Sequence, residues 1–448
     1  EVQRNRYRRF GLLGYPLGHS LSPLIHQRIM EIVGIPGEYR LYPLKPEELA
    51  SDLPKLLASL DGLNCTIPYK ESIIPYLQGC APCAAAYGAV NTVHGRVGYN
   101  TDGIGFAACE VPLKGRSVCI LGAGGGARVF ALEAVRAGAR EISILARTPQ
   151  RAEALVQDVK AHGYSNILAL GLEAGPVNCD VCLNGTPVGM WPKVRGLPAE
   201  NQELKVGEGV FDGIYNPTAT RFLLQAKGQG IWAKGGLQML FEQALAAQKI
   251  WNPEVDFQAW SSELAALKGG LAREVLRQSP IKLVLSGFMG SGKSTVGSAL
   301  AKAVALPFVD LDESIVQVAG QTIPEIFQTQ GEAYFRKLER GVFLAELKRP
   351  ETLVLAAGGG TLVQEGMEDI LGESRALVIY LDVSLPTAIK RVGRDQGRPM
   401  LGSGLAETEA LYVSRRPSYE SYADLRVPAE GDLAQIVNEI MSAFEWQG

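Results

Sequence analysis

The chain reads as α/β throughout, because short β-branched or aliphatic runs alternate with longer helical stretches, and because two of those runs open directly onto glycine clusters. Phe10-Gly11-Leu12-Leu13-Gly14 is the first strand, and Ser22-Pro23 starts a helix with proline in its first turn. Ser117–Leu121 and Lys282–Ser286 are the two strands that run into glycine, and Glu141–Leu145 follows the first of them. Two strand–glycine–helix units this far apart imply two nucleotide sites. Residues 257–267 have a helical pattern, which Lys268-Gly269-Gly270 weakens ahead of Ser279-Pro280. A boundary is therefore expected at 269–280, with few contacts crossing it and separable parts on either side.

At 448 residues the chain has room for roughly two to four domains. A hydrophobic fraction of 46% with 20% charged residues suits large globular cores. A net charge of -3 excludes a nucleic-acid binder that depends on a strongly basic surface. No apolar run is long enough for a membrane span. Residues 1–9 carry four arginines without the apolar stretch of a secretion signal. All seven cysteines precede Leu183, in two C-x-x-C pairs, Cys80/Cys83 and Cys179/Cys182, among others. Cys179-Asp180-Val181-Cys182-Leu183 reads as a buried strand, so packing is preferred to zinc. Nothing demands an oxidising compartment, and cytoplasm is the expected location. The expected partners are small molecules; the sequence sets no oligomeric state.

Gly122-Ala123-Gly124-Gly125-Gly126-Ala127 fits G-x-G-x-x-G/A between a strand and a helix, the pattern of a dinucleotide-binding (Rossmann) unit. The second strand of an NAD site ends in an acidic residue for the ribose 2′-hydroxyl. Here Ala146-Arg147-Thr148 follows, with Arg151 beyond, and a guanidinium suits the 2′-phosphate of NADP. Hydride chemistry needs a proton donor or acceptor, for which Lys70 and Asp102 are candidates.

Gly287-Phe288-Met289-Gly290-Ser291-Gly292-Lys293-Ser294, followed by Thr295, is a full phosphate-binding loop for ATP. Backbone N–H groups around Gly290, Ser291 and Gly292 cradle phosphates, Lys293 reaches the β- and γ-phosphates, and Ser294 ligates Mg²⁺. Asp310-Leu311-Asp312 is expected to end a strand, with carboxylates alternating about Leu311 to serve metal and substrate separately.

Ordered motifs carry a resemblance beyond these sites. Gly18-His19-Ser20-Leu21-Ser22-Pro23, Asn64-Cys65-Thr66-Ile67-Pro68-Tyr69-Lys70, Gly88-Ala89-Val90-Asn91-Thr92 and Asn100-Thr101-Asp102-Gly103 come first. Asn184-Gly185-Thr186-Pro187, Asp212-Gly213-Ile214-Tyr215 and Gly236-Leu237-Gln238-Met239-Leu240 with Gln243 follow. Together they resemble shikimate dehydrogenases over 10–266. The resemblance implies a catalytic pair of Lys70 and Asp102. It implies shikimate contacts from Ser20, Ser22, Thr66, Asn91, Asp102, Tyr215 and Gln243, and a nicotinamide bordered by Gly213 and Gly236. Ala146 stands where the family pattern has Asn, which points to a looser NADP preference.

From 281 onward, the phosphate loop, Asp310-Leu311-Asp312, Gly331-Glu332-Ala333-Tyr334-Phe335-Arg336, Gly358-Gly359-Gly360, Gly397-Arg398-Pro399-Met400-Leu401 and Arg415-Arg416-Pro417-Ser418-Tyr419 resemble shikimate kinases. That implies Mg²⁺ on Ser294 and Asp310, and Asp312 on the shikimate hydroxyls with a role in proton loss. Arg336 and Arg415 would grip the carboxylate, residues 358–360 would approach the ring, and Arg398 would act in a lid over ATP. The implied architecture is an α/β substrate domain at 1–106 completed by helices of 236–268, a Rossmann NADP domain at 107–235, a linker at 269–280, and a P-loop kinase domain with a parallel sheet at 281–448. The implied reactions are reduction of 3-dehydroshikimate and phosphorylation of shikimate. The alternative is a quinate-type dehydrogenase fused to another small-molecule kinase.

Overall fold

The computed structural model describes residues 6–18, 20–171, 175–393 and 404–446, and its strands form three sheets. The first holds β1 (Arg8–Gly14), β2 (Gly37–Pro43), β3 (Gly62–Cys65), β4 (Gly79–Cys80), β5 (Thr92–His94) and β6 (Val97–Tyr99), in the order β2-β1-β3-β5-β6-β4. β1 runs parallel to β2 and β3, whereas β5 is antiparallel to β3 and β6. Helix Leu237–Trp251 returns to this sheet from far along the chain. Its Trp251 stacks on Phe10 at 4.7 Å and donates to the Val93 carbonyl at 3.0 Å. A Cβ on Gly62 would lie 2.3 Å from the Trp251 ring nitrogen, so glycine is required for that fit.

The second sheet is wholly parallel: β7 (Ser117–Leu121), β8 (Glu141–Leu145), β9 (Ile167–Leu170), β10 (Val177–Asn184), β11 (Leu204–Asp212) and β12 (Trp232–Lys234). Its order is β12-β11-β10-β7-β8-β9, which reverses direction at β7, where the Gly122 loop lies. The third is also parallel, with β13 (Lys282–Ser286), β14 (Phe308–Asp310), β15 (Leu353–Ala356), β16 (Ala376–Asp382) and β17 (Leu425–Pro428) ordered β14-β15-β13-β16-β17. β7 and β13 are buried at every residue, as strands covered by helices on both faces must be. Among the described residues no helix is long and apolar enough to cross a membrane.

Two sequence expectations fail at the junction. Residues 269–278 are not an irregular linker but the second half of helix Ser261–Gln278. Burial of Leu264, Leu271, Ala272, Val275 and Leu276 on one face offsets two glycines at about 1 kcal/mol each. The helix is part of one apolar core that runs from Phe10 and Trp251 to Leu283, Leu300, Ile440 and Trp446. Nor are crossing contacts few. Asp424, fully buried at the start of β17, accepts from Arg221 Nε at 2.6 Å, from Arg195, and from the Val378 N–H at 2.8 Å. Thr218 donates to the Phe444 carbonyl at 2.9 Å, Lys227 to that of Ala443 at 2.7 Å, and Trp191 to that of Pro280 at 3.1 Å. Arg375 lies 4.7 Å from the Trp191 ring centroid.

Breaking a buried pair from one side costs about 3–5 kcal/mol, because the remaining charge stays buried. Replacing Arg195 and Arg221 together by Met should lower the urea midpoint of the full chain markedly. A midpoint equal to wild type would show that the clamp adds no stability.

His26 supplies a second test. It is fully buried, stacked on Tyr39 at 4.2 Å, and burial lowers its pKa to about 3. The unfolded chain protonates this ring below pH 6.5 while the folded chain does not, so stability is lost as pH falls from 6.5 toward 3. His26→Gln should flatten the stability–pH curve there by up to about 1.4 kcal/mol per pH unit. Parallel curves for the two proteins would refute this.

Candidate active sites

The first site lies where the first two sheets meet. Lys70 Nζ donates to Asp102 Oδ2 at 2.6 Å, with side chains 29% and 15% exposed. Asp102 opens the short helix Asp102–Ala107, and its N–H is capped by Asn100 Oδ1 at 2.9 Å. Asn91 Nδ2 donates to Asp102 Oδ1 at 2.9 Å, and Gln243 Oε1 lies 3.4 Å from Thr101 Oγ1. Four residues singled out from sequence thus form one polar cluster, and Asn100 and Thr101 join it. Their place inside the Asn100–Asp102 motif was the signal available for them.

Ser22 opens helix Ser22–Val33, and its N–H donates to Ser20 Oγ at 3.2 Å. The Tyr215 hydroxyl meets the Leu21 backbone, and burial raises its pKa. This brings Tyr215 beside both serines. Thr66 follows β3, its N–H bonded to the Leu13 carbonyl at 2.8 Å, and its methyl would sit 2.5 Å from a Cβ on Gly14. His19 lies outside the described residues.

At the dinucleotide loop, Gly122 adopts φ +98°, and Gly124 caps helix Gly125–Arg136. A Cβ on Gly124 or Gly125 would meet nothing within 4 Å, so the loop is an open cradle at a helix N-terminus that side chains would fill. Ala123 and Gly126 complete it. Ala146 is buried, while Arg147, Thr148 and Arg151 are exposed around the start of helix Pro149–Ala161. Among the described residues neither arginine forms an ion pair. Gly213 and Gly236 touch, since a Cβ on Gly236 would lie 2.3 Å from the Gly213 carbonyl oxygen. Asp212, which the sequence motif contained without an assigned role, holds this corner. Its buried carboxylate accepts from Thr220 at 2.6 Å and from Asn184 and the Ile214 N–H at 3.0 Å, and burial raises its pKa to about 6.

In the second site Gly287, Gly290 and Gly292 all have positive φ, and Gly292 caps helix Lys293–Val304. Lys293 Nζ is held over the loop by the Gly287 and Phe288 carbonyls at 2.7 and 3.0 Å. Ser291 lies on the same loop, with Thr295 one turn into the helix. Ser294 Oγ donates to Asp310 Oδ2 at 2.5 Å. The strand alternation expected of Asp310 and Asp312 is not what separates them. β14 ends at Asp310, which caps helix Leu311–Ala319 by accepting from the Asp312 N–H at 3.0 Å. An aspartate at that point satisfies the helix better than further strand would.

A cavity of about 1040 Å³ is lined by Asp312, Arg336, Gly358, Gly359, Gly360 and Arg415, among others. Arg336 Nη1 donates to the buried Glu339 at 2.8 Å, and Thr361 and Gln364 donate to the same carboxylate at 2.7 and 2.8 Å. The Tyr419 hydroxyl donates to the Gly359 carbonyl and bonds Arg415. Sequence reading missed Glu339, and it named Tyr419 inside the Arg415–Tyr419 motif without giving it a role. Spacing i, i+3 from Arg336 was the only trace of Glu339. Arg398 lies outside the described residues.

These features define a dinucleotide-linked oxidoreductase joined to a P-loop phosphotransferase. A family profile described as shikimate dehydrogenase substrate binding domain matches residues 12–93, and one described as shikimate kinase matches 289–445. Shikimate dehydrogenase (NADP(+)) of Bacillus cytotoxicus is 39% identical over 255 residues, 54% of this chain and 92% of that protein. The Thermus thermophilus shikimate 5-dehydrogenase solved with NADP(H) and shikimate is 34% identical, with TM-score 0.51 over 58% of this chain and 99% of its own. A 5-ketofructose reductase of Gluconobacter sp. strain CHM43 shares the fold at 28% identity, with TM-score 0.51 over 59% and 99%. The chain belongs to the shikimate dehydrogenase family, and its C-terminal part is a shikimate kinase domain.

A Cβ on Gly360 would lie 2.5 Å from Arg336 Nη1. Gly360→Ala should therefore displace that guanidinium and raise the KM for the phosphoryl acceptor about tenfold or more, with the KM for ATP nearly unchanged. Equal changes in both constants would count against Arg336 as an acceptor contact.

Proposed function

We propose that this chain carries out two consecutive steps: NADPH-linked reduction of 3-dehydroshikimate, then transfer of the γ-phosphoryl group of ATP to the 3-hydroxyl of shikimate. The supporting observation is that relatives of both enzymes occupy one chain, with the reacting side chains of each brought together. Bound NADPH supplies the hydride. Lys70 gives the proton to the carbonyl oxygen as it gains electrons, and Asp102 at 2.6 Å orients the ammonium and shares the resulting hydroxyl. Ser20, Ser22 and Tyr215, which lie together, suit the carboxylate, while Thr66, Asn91 and Gln243 suit ring hydroxyls. Unpaired hydroxyls would be costly to bury, so a dense polar lining selects a polyol acid. The open Gly124–Gly125 cradle fits a pyrophosphate, and Arg147 and Arg151, in no ion pair among the described residues, favour a 2′-phosphate.

In the second site, Asp312 accepts the acceptor hydroxyl's proton as the new O–P bond forms and the bond to ADP breaks. Arg336 and Arg415 hold the substrate carboxylate, and Lys293 draws charge from the phosphates. Ser294 and Asp310 present hard oxygen donors beside the phosphate loop, which fits Mg²⁺ with phosphate oxygens completing its shell. Bound there, the ion would neutralise charge on the β- and γ-phosphates.

The test is crossed inactivation. Lys70→Met or Asp102→Asn should lower kcat for NADP⁺-linked shikimate oxidation about a hundredfold or more and leave ATP-dependent phosphorylation intact. Lys293→Ala should do the reverse. Near-wild-type shikimate oxidation in both of the first variants, or faster turnover of quinate than of shikimate by the wild type, would overturn the assignment.

A further inference from the structure

We infer that Tyr39, Asn64 and Thr92 form an orienting relay whose task is to turn the Asn91 amide so that its nitrogen faces Asp102. The inference rests on the dehydrogenase reading above. None of the three is needed to touch substrate; they are positioning residues.

The relay can be followed from groups whose hydrogen-bonding character is fixed. Asn64 Nδ2 lies 3.1 Å from the backbone carbonyl of Asn91, which can only accept, so the Asn64 amide has one allowed orientation. Its oxygen then accepts from the Tyr39 hydroxyl at 2.8 Å, and the second Nδ2 hydrogen points to Thr92 Oγ1 at 3.0 Å. With an acceptor bond already made, Thr92 sends its own hydrogen to Asn91 Oδ1 at 3.0 Å. The same oxygen accepts from the Thr101 backbone N–H at 2.9 Å, a group that can only donate. Both ends of the chain of bonds thus agree on which Asn91 atom is oxygen. Its nitrogen is left to donate to Asp102 Oδ1 at 2.9 Å, on the oxygen that Lys70 does not use.

Burial makes this orientation matter. Asn64, Asn91, Thr92 and Thr101 are all buried, so a flipped amide could not turn to water for partners. A flip would set the Asn91 oxygen against the Asp102 carboxylate and its nitrogen against the Thr101 N–H. The start of the relay is equally fixed. Tyr39 is stacked on His26 with an interplanar angle of 3°, His26 faces Gln248 at 3.0 Å, and Trp251 closes the aromatic group at 5.4 Å from His26. Burial holds the Tyr39 pKa well above its ordinary value, so the hydroxyl keeps the proton it donates.

The experiment compares Tyr39→Phe, Thr92→Val, Thr92→Ser and the double variant Tyr39→Phe/Thr92→Val in the full chain. Shikimate oxidation is the readout, with kinase activity as the internal folding control. Thr92→Val should lower kcat about five- to tenfold, Tyr39→Phe about two- to threefold, and Thr92→Ser should stay within twofold of wild type. Because Tyr39 acts through Thr92, the double variant should fall no further than Thr92→Val alone. Normal kcat in a folded Thr92→Val protein, or multiplicative losses in the double variant, would overturn the relay. Should Thr92→Val not fold, a Tyr39→Phe rate equal to wild type would do so. Failure of the dehydrogenase reading itself would look different: the wild type would then not oxidise shikimate.

Discussion

A carboxylate taken wholly out of water must have its oxygens met by cations or hydrogen-bond donors, and Asp424 is under that constraint. Its cations, Arg195 and Arg221, belong to the dehydrogenase half, more than 200 residues earlier in the chain. The carboxylate also ties the edge of β17 to β16 through Val378. β17 follows helix Leu405–Tyr422, which carries Arg415 into the kinase cavity and Tyr419 against the Gly359 carbonyl at its wall. The clamp therefore ends the very helix that supplies two groups of the second site. With helix Ser261–Gln278 shared between the cores, the halves are packed as neighbours with a common interior rather than beads on a tether.

Both sites use the same device at the carboxyl ends of parallel strands. A buried strand ends in a glycine turn, the turn exposes backbone N–H groups, and a helix begins there with its dipole aimed at phosphate. The difference is in how crowded the turn is. Gly124 and Gly125 have open space around them, as a broad pyrophosphate requires. A Cβ on Gly287 or Gly290 would fall within about 2.7 Å of a backbone oxygen on the neighbouring Leu381 or Ala388 segment, so that loop is pressed against its own domain. Glycine opens a surface in the first case and allows tight packing in the second.

What could be read in the sequence was local in kind. The strands at Ser117–Leu121, Glu141–Leu145 and Lys282–Ser286 lie where their apolar runs placed them, and the glycine motifs after two of them mark the two cradles. Lys70, Asn91, Asp102 and Gln243 converge as their motifs implied, although 173 residues separate the first from the last. Partners without a motif were not legible. Nothing near Asp424 in sequence announces Arg195, and Glu339 is one of three glutamates on an amphipathic helix. The linker reading failed because glycine propensity is a weak term beside tertiary burial, and only the packed structure shows which face of 261–278 is covered. Asp310 and Asp312 are set apart by a helix cap and not by strand alternation, since a strand end and a helix cap look alike over three residues.

The buried polar groups sort by what is left unspent. Asp424 and Glu339 have their oxygens filled by cations, hydroxyls or N–H groups, and so fix structure. Lys70 and Asp102 bond each other yet remain partly exposed, the ammonium with two further hydrogens and the carboxylate with spare lone pairs. Arg415 is buried against Tyr419 but has no carboxylate partner among the described residues, and Arg336, oriented by Glu339 through Nη1, keeps further N–H donors. A guanidinium kept from a protein carboxylate is free to take one from a ligand. That is the physical distinction between groups that hold these folds together and groups that act: the first have completed their bonds within the chain, and the second have been oriented by neighbours while their remaining capacity faces outward.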